Sequence, residues 1–140
     1  MEKQNFKNHP HYIFGFHIIT FSVIIAALVF SIILLASTGI HLSTVFAFLT
    51  AVSLGLLFFY IRQFATGNQD RIIRAEENAR SHRLTGKPLD DRLTKGQIIA
   101  LRFADDSEYI DLAQKAISKN LSPKDIKQTV SQWRADHHRV

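Results

Sequence analysis

The sequence predicts an all-α membrane protein, in which a two-helix transmembrane hairpin is followed by a small cytoplasmic helical bundle. Two observations lead to this fold class. Residues 8–61 contain no Asp, Glu, Lys or Arg, whereas the chain from Arg62 onward is densely charged. The charged part also contains short segments whose apolar residues have the spacing of amphipathic helices. Because a soluble domain keeps polar groups on the faces that meet water, the change at residues 61–62 divides the chain.

The apolar half consists of two stretches, residues 18–36 and 42–61, around a loop that contains Gly39 and His41. Each stretch has about the 20 residues that a helix needs to cross a hydrocarbon core of about 30 Å. Because lipid offers the backbone no hydrogen-bond partner, both spans are predicted to be helical. A cleaved signal peptide is disfavoured, since the first stretch exceeds the usual apolar length of about 7–15 residues.

Basic residues flank the predicted hairpin on one side only. Lys3 and Lys7 precede the first span and Arg62 follows the second, while the connecting loop has no Lys or Arg. This pattern predicts a multi-pass protein of the bacterial inner membrane with both termini in the cytoplasm. Aromatic and basic residues near the span ends are predicted to lie at the cytoplasmic interface. These interfacial residues are Tyr12, Phe14, Phe16, Tyr60 and Arg62.

Small residues recur at every fourth position of the second span, at Ala47, Ala51 and Gly55. Such a ridge lets another helix approach closely. The first span offers Ser22 and Ala26 at the same spacing. Two explanations stay open: the two spans pack on each other, or a ridge docks a partner protein or a second copy of the chain.

Beyond the spans, a basic juxtamembrane helix is expected to loosen at Gly67-Asn68 and to end at Gly86-Lys87-Pro88. On this helix, Glu76 and Arg80 are predicted to form an exposed i,i+4 ion pair. The predicted organisation therefore has four regions. They are an N-terminal cytoplasmic or interfacial segment (1–17), the hairpin (18–61), the juxtamembrane helix and linker (62–89) and a three-helix mini-domain (90–140).

Capping residues predict the helices of the mini-domain. Thr94 can cap the first helix, Asp105 or Asp106 the second, and Ser122 the third, which has Pro123 at its first position. The apolar residues of these helices are predicted to form the core of the tail or a docking face for a partner. They are Ile98, Phe103, Leu112, Ile117, Ile126, Val130 and Trp133. A core of this size is marginal alone and is expected to lean on the membrane, a second copy or a partner.

His9, His11 and His17 are the residues that could hold a metal or haem. A metal site usually also recruits cysteine or carboxylate, and residues 8–61 contain neither. His17 and His41 lie at opposite ends of the first span, about 30 Å apart, so one hairpin could not hold an iron between them. We interpret these histidines as interfacial residues. A haem- or metal-binding redox subunit that uses His17 with His9 and His11 is kept as an alternative.

Other function classes find little support in the sequence. The chain has no cysteine, no glycine-rich phosphate loop and no hydrolase motif, which argues against an enzyme. Residues 90–140 carry nearly equal numbers of acidic and basic side chains, which argues against nucleic-acid binding. No catalytic residue, cofactor or metal site is predicted. A self-assembling pore-forming protein is a further alternative, although the spans carry scattered hydroxyls rather than a polar face.

Three stretches of the chain resemble an uncharacterised family of short two-span bacterial membrane proteins, a domain of unknown function. They are QNFKNHPHY at 4–12, GQIIALRFADDSE at 96–108 and LSPKDIKQTVSQWRADHHRV at 121–140. The resemblance implies two spans and a cytoplasmic helical tail, and it brings no activity, cofactor or catalytic residue. The leading hypothesis is a non-catalytic accessory or scaffold subunit that anchors a small helical domain to a larger membrane assembly. Its partners would be the lipid bilayer and a membrane protein or further copies of the chain.

Overall fold

The computed structural model describes residues 4–6, 8 and 12–136. Within these residues the regular elements are all helices, which confirms the all-helical prediction. The described residues form two compact units. The hairpin comprises residues 12–66, and the tail domain comprises residues 67–136 together with residues 4–6 and 8.

The hairpin begins with a π-helical turn, Gly15–Thr20, which continues directly into α1 (Phe21–Thr38). Helix α2 (Leu42–Thr85) follows after a tight loop. Gly39 ends α1 with a φ of 87°, a left-handed value that favours glycine. The Thr44 hydroxyl donates to the Gly39 carbonyl at 3.0 Å and accepts the His41 N–H at 3.0 Å, which holds the loop closed. Both helices are long and apolar enough to cross a membrane.

Helix α2 is unbroken through Gly67 and Asn68, so the expected loosening at this point is wrong. A single glycine costs a helix only about 1 kcal/mol, and Ile73, six residues further along α2, is buried, so tertiary packing favours the helix on that side of the glycine. The predicted end of the helix is confirmed, because α2 stops at Thr85. Gly86 follows with a φ of 72°, and its N–H donates to the His82 carbonyl at 2.8 Å.

Three short helices complete the tail domain: α3 (Lys95–Leu101), α4 (Asp106–Ser118) and α5 (Pro123–Thr129). Their N-caps are Thr94, Asp105 and Ser122. The sequence predicts the first and third, and for α4 the structure selects Asp105 over the alternative, Asp106. The first and third caps form complete capping boxes. The cap side chain accepts from the backbone N–H of Gln97 or Asp125, and the side chain of that residue accepts from the backbone N–H of the cap.

The core of the tail domain lies among α3, α4 and α5, and its largest fully buried side chains are Tyr109, Phe103, Leu101 and Ile126. The segment after α5 closes this core. The Arg134 N–H donates to the Phe103 carbonyl at 2.8 Å, and the Trp133 ring packs at 4.9 Å from the Phe103 ring. Trp133 and Arg134 therefore belong to the folded domain.

Candidate functional site

A buried arginine on α2 is the centre of the polar contacts in the tail domain. Only 3% of Arg80 and 4% of Glu77 is exposed to solvent. The Arg80 guanidinium donates from Nε to Asp106 Oδ1 at 2.6 Å, from Nη1 to Glu77 Oε2 at 3.2 Å and from Nη2 to the Ala104 carbonyl at 2.7 Å. Arg80 of α2 thus binds Ala104, two residues before α4, and Asp106, the first residue of α4.

Aromatic and further basic groups surround this arginine. The guanidinium carbon lies 4.3 Å from the centre of the Tyr109 ring, a cation–π geometry. Arg134 approaches the second Glu77 oxygen at 3.9 Å, and Arg83 binds the second Asp106 oxygen at 3.2 Å. We call Glu77, Arg80, Asp106 and Tyr109 the arginine network. Within the network, Arg80 of α2 pairs with the Glu77 carboxylate on the same helix and with the Asp106 carboxylate on α4. The second of these ion pairs joins α2 to α4.

The two carboxyl groups of the arginine network have pKa values shifted in opposite directions. Burial raises the pKa of Glu77, and the nearby Arg80 charge only partly offsets this effect. The hydrogen bond from Arg80 lowers the pKa of Asp106, whose side chain remains 46% exposed. Burial and the Glu77 carboxylate raise the pKa of Tyr109, so its phenol stays protonated. Arg80 is therefore paired with one buried carboxylate, that of Glu77, and one partly exposed carboxylate, that of Asp106.

The sequence analysis missed this network. It paired Arg80 with Glu76 on an exposed face, whereas the structure buries Arg80 and pairs it with Glu77 at i,i+3. The sequence holds one signal for this network, which is that Glu77 and Arg80 lie between two apolar residues on the same helix face. These apolar residues, Ile73 and Leu84, are buried and partly buried in the structure. Helical spacing alone does not show that a helix face with charged residues packs against another helix of the domain.

The residues predicted as a core or docking face of the tail lie inside the tail domain. Ile98, Leu112, Ile126 and Val130 are buried in one cluster. Phe103 is also fully buried. Ile117 and Trp133 are partly buried against the cluster. These side chains pack on one another, so this set leaves little apolar surface for a partner.

The small-residue ridge of α2 faces α1. Ala51 is buried, and a Cβ added at Gly55 would lie 3.8 Å from Ile24 Cγ2, an ordinary contact distance. Ala47 is half-buried on the same stripe. The structure therefore brings these three predicted helix-packing residues to the seam between the two helices of the hairpin.

The predicted interfacial residues differ in their surroundings. Tyr12, Phe14 and Tyr60 are exposed, while Arg62 is half-buried. The Phe16 ring stacks on Phe58 of α2 at 4.3 Å. Aromatic rings are thus frequent near the start of the hairpin and near residue 60 of α2, a pattern that is typical of residues at a membrane interface.

The side chains of His17 and His41 contact nearby backbone carbonyl groups. His17 stacks on Tyr12 at 4.4 Å, and its Nδ1 lies 3.0 Å from the Ile13 carbonyl. His41 Nε2 lies 2.8 Å from the Thr38 carbonyl. His9 and His11, like Lys3 and Lys7, are outside the described residues. Within residues 4–6, 8 and 12–136, no three His, Cys, Asp or Glu side chains are grouped to hold a metal ion.

Comparison with known protein families gives a match along the whole sequence. The family of unknown function DUF6526 covers residues 1–140. The chain belongs to this family. The resemblance to an uncharacterised domain, seen in three stretches of the sequence, is thereby confirmed. No curated protein and no solved structure matches the chain.

Replacing Arg80 with methionine is expected to destabilise the tail domain of this DUF6526 protein by about 3–5 kcal/mol, because Glu77 would remain buried without its partner. Trp133 is the only tryptophan of the chain and packs on Phe103, so its fluorescence reports unfolding of the tail. Urea titration of the full chain in detergent measures the change. Arg83→Met, which removes an exposed ion pair, is the control and is expected to cost less than about 1 kcal/mol. Equal losses in both variants would contradict the role of the network.

The pH dependence of stability is expected to separate the two carboxylates. The pKa of Asp106 is lowered from 3.8, so its stabilisation is present above that value and is lost as the pH falls through the folded-state pKa. The pKa of Glu77 is raised from 4.5, so its protonation favours the folded state as the pH falls.

Asp106→Asn is therefore expected to flatten the loss of stability in acid, and Glu77→Gln to steepen it. Trp133 fluorescence during urea titrations at neutral pH and below about pH 4 measures both effects. Parallel pH profiles for the two variants would refute the assignment of opposite pKa shifts.

Proposed function

We propose that this protein is a non-catalytic integral membrane protein whose two-span hairpin anchors a small helical domain to a larger membrane assembly, as an accessory or scaffold subunit. It lies in the bacterial inner membrane with both termini in the cytoplasm. The observation that carries the proposal is the surface of the hairpin, on which many large apolar side chains are exposed.

These side chains point outward from both helices of the hairpin. Each would forgo about 1.5–3 kcal/mol of burial free energy if it faced water. The most exposed include Val23, Phe30, Ile33, Phe46, Leu49 and Leu57. Lipid acyl chains remove this penalty without any protein partner. The surface therefore supports a membrane environment rather than a soluble one.

The hydroxyl groups of the hairpin also suit an apolar solvent. Ser31 donates to the Leu28 carbonyl at 2.7 Å, and Thr50 donates to the Phe46 carbonyl at 2.8 Å. The hydroxyl hydrogens of Ser31 and Thr50 are thus satisfied within their own helices, as lipid requires. The same pattern gives no continuous polar face, so a water-filled pore finds less support.

The anchoring role is supported by the way α2 takes part in the tail domain. Residues 67–85 of α2 supply Ile73 and two members of the arginine network, Glu77 and Arg80, to that domain. Because α2 is one of the two candidate spans and its residues 67–85 belong to the tail domain, the same helix would connect the anchor to the tail. Such a domain suits a subunit that positions other proteins.

The orientation is expected to follow from cysteine labelling, because the chain has no native cysteine. Ile40→Cys, in the loop between α1 and α2, should react with a membrane-impermeant maleimide added outside spheroplasts. Ala135→Cys, in the tail domain, should react only after permeabilisation. Labelling of Ala135→Cys in intact spheroplasts would refute the cytoplasmic tail. Extraction of the chain by alkaline carbonate would refute membrane integration itself.

The accessory role is expected to appear as co-purification in a fixed ratio with a larger membrane complex. Gentle detergent extraction of the tagged chain at native expression, followed by native mass spectrometry, measures this ratio. Ala26→Leu, on a groove of α1 lined by Phe21, Ile25, Val29 and Phe30, is expected to weaken the association. Gly55→Leu, which faces Ile24 inside the hairpin, controls for damage to the hairpin itself.

Recovery of the chain without any other protein would refute the accessory role. A Soret band or stoichiometric metal in that sample would then support the redox alternative. Leakage of dye from liposomes would support the pore alternative.

A further inference from the structure

A cavity of about 490 Å³ lies in the tail domain, where α2 meets the segment that precedes α3. Helix α2 contributes Arg71, Arg74 and Asn78 to its lining, and the segment before α3 contributes Leu89 and Asp91. Small-molecule sites in proteins have volumes of about 300–1,000 Å³. All the lining residues belong to one compact unit, so the cavity is a feature of the tail domain by itself.

Hydrogen bonds hold the segment before α3 against α2. The Leu89 N–H donates to Asn78 Oδ1 at 2.9 Å. The Arg92 guanidinium donates to both carboxylate oxygens of Asp90, at 3.0 and 2.8 Å, and the Leu93 N–H donates to the Asp90 carbonyl at 3.0 Å. This side of the cavity is therefore formed without any ligand.

Three charged side chains of the lining have no ion-pair partner. Among the described residues, Arg71 and Arg74 have no carboxylate within 4.0 Å, and Asp91 has no basic group within that distance. The fourth charged residue of the lining, Asp90, is already paired with Arg92. Opposite charges therefore line one cavity without neutralising each other, and a molecule that carries both signs of charge could join them.

The acidic residues of α2 near the cavity do not pair with its arginines. Asp70 binds Lys95 at 3.0 Å, and Glu77 belongs to the arginine network. Glu76 lies two residues after Arg74, a spacing at which side chains of a helix do not face each other. Both arginines of the lining are thus left to an external anion.

Apolar side chains complete the lining of the cavity. Leu93 and Ile98 are buried in the core of the tail domain, and Leu89 is half-buried against that core. This part of the cavity can contact an apolar group and remove it from water. The cavity therefore offers sites for an anion, a cation and an apolar group.

We propose that this cavity binds an amino acid with an apolar side chain, in its zwitterionic form. The ligand carboxylate accepts hydrogen bonds from Arg71 and Arg74, since the planar guanidinium group matches the geometry of a carboxylate. The ligand ammonium group donates to Asp91, and the apolar side chain contacts Leu89. The inference concerns the tail domain alone and does not depend on the anchoring role.

Isothermal titration calorimetry of the full chain in detergent tests the proposal, with L-leucine and L-phenylalanine as ligands. The amide of each amino acid lacks the carboxylate, and the N-acetyl derivative lacks the ammonium group. Each derivative is expected to bind about 10-fold more weakly or worse, because a hydrogen-bonded charge is lost. Glycine, which has no apolar side chain, is also expected to bind more weakly.

Variants of the lining assign each charge of the ligand to its partner. Arg71→Gln with Arg74→Gln is expected to weaken binding of the amino acid by about 10-fold or more and to leave binding of its amide nearly unchanged. Asp91→Asn is expected to weaken binding of the amino acid and to leave binding of its N-acetyl derivative nearly unchanged.

The control variant is Lys115→Gln, which removes an exposed charge of α4 outside the lining. It is expected to bind the amino acid like the parent chain. Trp133 fluorescence confirms that each variant is folded, and the three substituted residues of the lining are exposed, so their replacement leaves the core intact.

Three results would overturn the proposal. The first is the absence of binding heat for both amino acids at millimolar concentration. The second is equal affinity for an amino acid and its two derivatives, which would show that the charges are not recognised. The third is unchanged affinity in the arginine and aspartate variants, which would assign the binding to another part of the chain.

Discussion

The tail domain depends on the burial of one guanidinium group. Arg80 reaches from α2 to the Ala104 carbonyl and to Asp106, so it joins a long helix to the chain segment where α3 ends and α4 begins. Taking an arginine out of water is costly unless its hydrogen bonds are satisfied, and Glu77, Asp106 and the Tyr109 ring provide that compensation. Without this contact α2 would present two charged residues to an apolar cluster.

The hairpin is held together differently from the tail domain. Its two helices contact each other along a narrow strip, and the rest of their surface is exposed. Ala51 and Gly55 allow α1 to come close, while Ser31 is buried with its hydroxyl satisfied within its own helix. In water such a hairpin would expose most of its apolar area. In lipid the same residues need only van der Waals contact and internal hydrogen bonds. The two units therefore differ in where their apolar side chains lie: the hairpin exposes them, and the tail domain buries them in a core.

How far the sequence predicted each part depends on the range of the interactions involved. The caps at Thr94, Asp105 and Ser122 and the helix end at Gly86 were predictable because each uses hydrogen bonds within a few residues. The continuity of α2 through Gly67 was not, since a local propensity gave way to packing further along the helix. The burial of Arg80 needed a partner 26 positions away, Asp106, which no local pattern identifies.

The sequence by itself determined the all-helical fold, the two long apolar helices and the positions of the tail helices, because apolar periodicity, charge and caps act over one or two turns. Only the tertiary structure decided which charges are buried, and that Arg71, Arg74 and Asp91 line one cavity. Those juxtapositions arise when separate segments of the chain pack on a common core. The energy of a buried ion depends on that packing and on the local dielectric, which spacing along the chain does not encode.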